Sequence, residues 1–141
     1  LAIDIEIDGY KIQWNKTTEN WINTLNAVNQ IGCIHTSQGY DLNYAGIIFG
    51  NEIKYNPSNN KIEIDSSQYF DKKGKQGITD PSVLKEYILN IYKTMMLRGI
   101  RGTYLYVCNN ELRVYLKQFI NYIKGCFKVV ILAKFYPVIF C

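Results

Sequence analysis

The sequence predicts an α/β fold with parallel strands at the centre of its sheet. Strand-like apolar runs alternate with helical patterns, the order that strand–helix–strand connections produce. The runs over 45–49 and 103–107 are rich in β-branched and aromatic residues. Between them, 80–99 carries both a start and a stop signal for a helix. With 141 residues the chain is long enough for one domain with a core of its own.

Each element has its own justification. Ile3, Ile5 and Ile7 alternate with Asp4, Glu6 and Asp8, the period of a strand with one wet face. Asp8-Gly9 reads as a turn, and Tyr10-Lys11-Ile12-Gln13-Trp14 alternates again, so a hairpin-like pair is expected. Residues 15–29 are rich in Asn and Thr, with Trp21, Ile22, Leu25 and Val28 near helical spacing, and predict a short helix or an ordered loop. Gly32-Cys33-Ile34-His35 reads as a short strand and 45–49 as a stronger one. Asn56-Pro57-Ser58-Asn59-Asn60 is a turn, and 61–65 alternates as a strand. Residues 71–79, with Lys72, Lys73, Gly74, Lys75 and Gly77, read as a mobile basic loop.

Asp80 suits the N-cap of the main helix and Pro81 its first position. Leu84, Tyr87, Ile88, Ile91, Tyr92 and Met95 give it one apolar face, and Gly99 can stop it. Asn109 caps a further helix carrying Leu112, Tyr115, Leu116 and Phe119.

Composition narrows the class. Hydrophobic residues are 48% and charged residues 20%, ordinary for a globular chain. The net charge of +4 is unevenly spread: every acid lies within 1–111, whereas Arg113, Lys117, Lys124, Lys128 and Lys134 have none around them. The basic balance is a property of the tail and argues only weakly for a nucleic-acid or membrane partner. Residues 127–141 are almost wholly apolar, yet Lys128, Lys134 and Pro137 interrupt them and they are too short to span a membrane. Two readings stand for 121–141: a buried strand, or sequence foreign to the parent fold, such as read-through after a frameshift. Cys33, Cys108, Cys126 and Cys141 form no CxxC and share no metal-ligand spacing with a histidine, which predicts reduced thiols in a cytoplasmic protein and no metal site. No signal peptide opens the chain. It enters a strand pattern directly at Leu1 and reads as the later part of a longer protein.

The chemistry concentrates in Cys33-Ile34-His35-Thr36-Ser37-Gln38-Gly39-Tyr40-Asp41-Leu42. Hydroxyls, an amide, a glycine and a carboxylate stand between two apolar runs, and binding groups are commonly carried on such connections. Short polar side chains and free backbone N–H groups suit phosphate oxygens. A glycine lets the backbone approach a ligand closely, and a carboxylate can accept both hydroxyl protons of a ribose.

From Gly32 to Gly46 the chain resembles a family. The phrase Gly-Cys-Ile-His-Thr-x-Gln-Gly-Tyr/Phe-Asp-Leu-Asn-Tyr-Ala-Gly is a signature of a bacterial group related to the helicase part of Schlafen proteins, and it stands nearly complete here. Tyr69-Phe70-Asp71-Lys72-Lys73-Gly74 and Arg98-Gly99-Ile100-Arg101-Gly102-Thr103-Tyr104 are also similar to that group. The resemblance implies the second RecA-like lobe of a superfamily 1 DNA or RNA helicase, a P-loop NTPase lobe with a mostly parallel sheet flanked by helices, over 1–120. It implies that His35, Thr36 and Ser37, with Lys72 and Lys73, touch the nucleic-acid backbone. Gln38 and Gly39 would lie near nucleotide phosphates and Asp41 on the ribose. Arg98 would be the arginine that reaches across the cleft to the γ-phosphate, with Arg101 a second candidate. Similar helicases have Thr before that arginine, and here it is Leu97.

The implied cofactor is ATP with Mg, held mainly by a preceding RecA-like lobe of the same polypeptide, and the implied partner is single-stranded DNA or RNA. The chain has no G-x-x-x-x-G-K-[ST] segment; Gly74-Lys75 is followed by Gln76. The fragment alone is therefore expected to hydrolyse no ATP. The rival readings are a non-enzymatic nucleic-acid-binding or regulatory module, and a non-functional gene fragment. Plainer accounts exist for single residues. Arg98 and Arg101 could serve a helix terminus, His35 could be a core residue between strands, and Lys72, Lys73 and Lys75 a solvated loop. Trp14 and Trp21 could be core, or could stack a base.

Overall fold

The computed structural model describes residues 5–7, 9–71, 74–120 and 138–140. The expectations for Asp4, Asp8, Lys72, Lys73, Cys126 and Cys141, and for most of the tail, lie outside the described residues. The opening hairpin is present: β1 (Ile5–Ile7) pairs antiparallel with β2 (Tyr10–Trp14). Next come β3 (Gln30–Gly32), a one-turn helix α1 (Ile34–Ser37) and β4 (Leu42–Phe49). A separate antiparallel hairpin follows, β5 (Ile53–Asn56) with β6 (Lys61–Ile64). The chain continues through α2 (Pro81–Met96), β7 (Gly99–Val107), α3 (Asn110–Leu116) and a last strand, β8 (Val138–Phe140).

The main sheet has the order β1-β2-β3-β8-β4-β7. Every pairing from β2 onward is parallel. This is a mixed α/β fold with a parallel centre, as the alternation of elements predicts. Residues alternate between the two faces of β4. Ala45, Ile47 and Phe49 belong to the main core, with Leu84, Ile88, Ile91, Tyr92 and Met95 of α2 and with Val107 and Leu112. Ile48 joins Ile12 and Ile31 in a second, smaller cluster.

Helix α2 starts as its sequence dictates. Asp80 Oδ1 accepts the Ser82 N–H at 2.8 Å, and Pro81 occupies the first helical position. Its end differs from the expectation. The helix finishes at Met96, and Gly99 is the first residue of β7 rather than a cap. The Thr103 hydroxyl donates to the Met96 carbonyl at 2.7 Å, so a side chain from the next strand satisfies one orphan acceptor of the helix end. Asn109 caps α3 as expected, its Oδ1 accepting the Leu112 N–H at 2.8 Å. Residues 15–29 are an ordered loop with two single 3-10 turns, at Trp21–Asn23 and Ala27–Asn29. Asn20 and Asn26 precede those turns with left-handed backbones, which asparagine tolerates better than most residues.

Candidate nucleotide and nucleic-acid site

The stretch that leads from β3 to β4 departs from a simple strand. Gly32 ends β3, and Ile34 to Ser37 are helical where a strand over 32–35 is expected. The cause is Trp21. Its side chain is buried, and its Nε1–H donates to the Thr36 carbonyl at 2.9 Å. A Cβ on Gly32 would stand 2.4 Å from Trp21 Cζ2, so only glycine lets the indole lie against the strand end. The Thr36 hydroxyl then accepts the Cys33 N–H at 3.0 Å and closes the turn. Apolar alternation in Cys33-Ile34 cannot reveal the two Trp21 contacts, because the indole comes from a loop more than ten residues upstream.

Thr36 and Ser37 are buried, each 3% exposed. Their hydroxyls face the protein, and Ser37 Oγ has no hydrogen-bond partner among the described residues. His35, Gln38, Gly39 and Asp41 are exposed. Gly39 has φ of +85°, a left-handed backbone that redirects the chain after α1. His35 is no core residue: its side chain is 53% exposed, and Nε2 lies 3.0 Å from Asp71 Oδ2. Asp71 Oδ1 accepts the Gly74 N–H at 2.9 Å, and Lys75 Nζ donates to the Tyr69 carbonyl at 3.0 Å. The start of the 71–79 stretch is thus tied to α1 and to itself. Asp71 is a site neighbour that basic composition alone conceals; its signal is the Asp-x-x-Gly turn.

Strand pairing brings the second half of the polar stretch to Arg98. The Leu42 N–H donates to the Arg98 carbonyl at 3.1 Å, and Leu42 is level with Gly99. Asp41 and Arg98 therefore flank the paired starts of two parallel strands. Neither side chain makes a hydrogen bond or ion pair among the described residues. Among the described residues neither guanidinium bonds to a carbonyl of the α2 end, although Arg98 stands just past it. It is the Arg98 backbone N–H, not the guanidinium, that bonds to the Met95 carbonyl, at 3.0 Å. Arg101 lies within β7 and is exposed. Trp14 is 37% exposed and Trp21 is 1% exposed, so only Trp14 retains surface for stacking. Lys72 and Lys73 lie outside the described residues.

The connection has length as well as chemistry. Ile31 of β3 and Gly46 of β4 are both level with Val138 of the strand between them. Leu42 lies four residues before Gly46, roughly 13 Å back along the sheet at about 3.3 Å per residue. The polar stretch thus runs from the far end of β3 to the near end of β4. His35 stands toward one end of this path, and Asp41 with Arg98 at the other.

Among the described residues no His, Cys, Asp and Glu cluster could hold a metal ion. Cys33 is a free thiol. No helix among them is long and apolar enough to cross a membrane.

The fold and this connection define a mixed α/β domain with its polar groups at the edges of a parallel sheet. The family model for the Schlafen group 3, DNA/RNA helicase domain matches residues 2–109, and the chain belongs to that family. It is also similar to the uncharacterized protein YPL245W of Saccharomyces cerevisiae, 33% identical over 114 residues. That match covers 75% of this chain and 25% of the relative, so the chain spans about a quarter of the relative's length. No solved structure matches.

Proposed function

We propose that this chain is the second, RecA-like lobe of an ATP-dependent DNA or RNA helicase or translocase. In this reading the polar connection couples nucleotide to nucleic acid, and Arg98 acts across the cleft. The observation that carries the proposal is the backbone bond from Leu42 to the Arg98 carbonyl. It places the residues that carry a carboxylate, Asp41, and a guanidinium, Arg98, at the paired starts of β4 and β7, where neither side chain has a hydrogen-bond or ion-pair partner among the described residues. Charged groups kept apart from each other in this way are available to a ligand with both hydroxyls and phosphates.

The residues present fit the nucleotide half of such a site. Gly39 offers an exposed backbone without a Cβ, Gln38 an exposed amide, and Asp41 an exposed acceptor for ribose hydroxyls. Arg98, with Arg101 beside it in sequence, would offset the negative charge that develops during phosphoryl transfer. ATP with Mg would supply the transferable phosphoryl group, held mainly by another lobe. On the nucleic-acid half, His35 is the exposed group. Thr36 and Ser37 act by positioning it, since their own hydroxyls face inward. Lys72 and Lys73 would add phosphate contacts whose strength falls with salt.

The path between the two halves gives a route for coupling. One connection, whose two ends are offset by roughly 13 Å along the sheet, links the group that faces the strand to the groups that face the nucleotide. Closure of two lobes around a nucleotide would then shift the strand contact as well. The test is nucleic-acid-stimulated ATP hydrolysis by the longer natural protein that carries this lobe. Stimulated turnover is expected. A longer protein that binds single strands but hydrolyses no ATP would replace this reading with the non-enzymatic one.

A further inference from the structure

The segment that matches the family makes a sheet with a missing strand. Within residues 2–109, β3 and β4 are the strands nearest each other across the middle of the sheet, but they are not paired. The strand that pairs with both is β8, which lies outside the match. Without it, β3 and β4 would stand two strand spacings apart, roughly 9–10 Å. Facing rows of backbone N–H and C=O groups would be left open between them. Residues of the two strands that border the gap are deeply buried: Ile31 is 0%, Ala45 0% and Ile47 1% exposed. Unpaired backbone groups there would be costly, so the gap demands an occupant.

We propose that the gap between β3 and β4 is a strand-acceptor site, and that in this chain Val138–Phe140 is its occupant. Three observations support the assignment. Val138 is level with both Ile31 and Gly46, so one segment completes two ladders at once. The segment Val138-Ile139-Phe140 has the β-branched and aromatic composition of a buried parallel strand. Pro137, which lacks a backbone N–H, stands immediately before the paired residues rather than among them. The acceptor recognises backbone in a parallel register, so it selects an apolar extended segment rather than a particular sequence.

Hydrogen exchange on the unmodified full chain is the first test. The amides of 138–140 are expected to exchange at least about a hundredfold more slowly than in an unstructured peptide, in step with those of β4. Exchange at unstructured rates overturns the assignment whatever any variant does. In Ile139→Pro, which removes one ladder donor, faster exchange is expected at both Gln30–Gly32 and Gly46–Ile48, with α2 keeping its protection. Unchanged exchange in those strands overturns the proposal. Should this variant fail to fold, the result on the unmodified chain stands alone and decides. A fluorescent peptide of residues 136–141 is expected to bind Ile139→Pro and not the unmodified chain. Binding to both, or to neither, contradicts an acceptor filled from within.

Discussion

Gly32 and Trp21 show how single residues shape the site. A strand end that turns at once into a helix needs room beside it, and the indole takes that room. Gly32→Ala is expected to force the ring off the strand end and to destabilise the chain by about 1–3 kcal/mol, the usual cost of overpacking. Thermal or denaturant unfolding of the full chain measures it. Thr36 and His35 separate positioning from contact. Thr36→Ala removes the acceptor of the Cys33 N–H and should lower stability by about 1 kcal/mol. His35→Ala removes an exposed group whose surface contact with Asp71 contributes little, about 0–1 kcal/mol. It should instead weaken single-strand binding by the longer protein about fivefold, the equivalent of one net hydrogen bond near 1 kcal/mol. Equal binding by wild type and His35→Ala at matched salt would remove His35 from the contact. The polar character of Gln38, Gly39 and Asp41 was legible in the sequence and agrees with their exposure, whereas the exposure of His35 was not, since a lone histidine between apolar runs fits a core position equally well. The inward turn of Thr36 and Ser37 was not, since nothing in a hydroxyl's identity says which way it faces.

Among the elements, α2 was the most legible and α1 the least. Asp80, Pro81 and the apolar face of α2 act through neighbours within the same helix, which is information a local reading contains. Asp80→Ala is expected to lose the bond to the Ser82 N–H and to cost about 1 kcal/mol, a typical N-cap value. A loss well below that in urea unfolding would mean that packing alone sets the helix start. Helix α1 has four residues, too few for a periodic pattern, and it is held by Trp21 and by its own capping turn. The end of α2 was misread for a related reason. The partner of its last carbonyl is Thr103, whose proximity depends on how β7 returns to the sheet.

Across the whole molecule, parallel order was legible from the alternation of elements, but the order of strands was not. Nothing local in Val138-Ile139-Phe140 says that it lies between β3 and β4. The far end of β4 holds another long-range feature. Glu52 is buried and accepts a hydrogen bond from the Tyr92 hydroxyl, which itself accepts the Gly50 N–H at 3.1 Å. Burial raises the Glu52 carboxyl above its ordinary value of 4.5, although the Tyr92 bond works the other way. The folded state therefore holds this proton more tightly than the unfolded state does. Its contribution is fully present below pH 4.5 and declines as pH rises through the folded value. Asp65 acts in the opposite sense. Hydrogen bonds from Lys54 and Ser67 lower it to about 2, so its contribution is present above 3.8 and fades as pH falls toward 2. The difference between wild-type and Glu52→Gln stability, followed from pH 3 to 8, should isolate the first effect. A difference that does not change with pH would show that Glu52 titrates alike in both states.

The central claim is that the edge where β4 and β7 begin faces a nucleotide, with Arg98 as its acting group. The most direct measurement is ATP hydrolysis, with saturating single strands, by the longer protein and its Arg98→Ala variant. Turnover is expected to fall about 10³-fold or more, as when an arginine finger is removed, while nucleotide affinity stays within a few-fold of wild type. Turnover that is unchanged in the variant would contradict the account and return Arg98 to the surface of the fold.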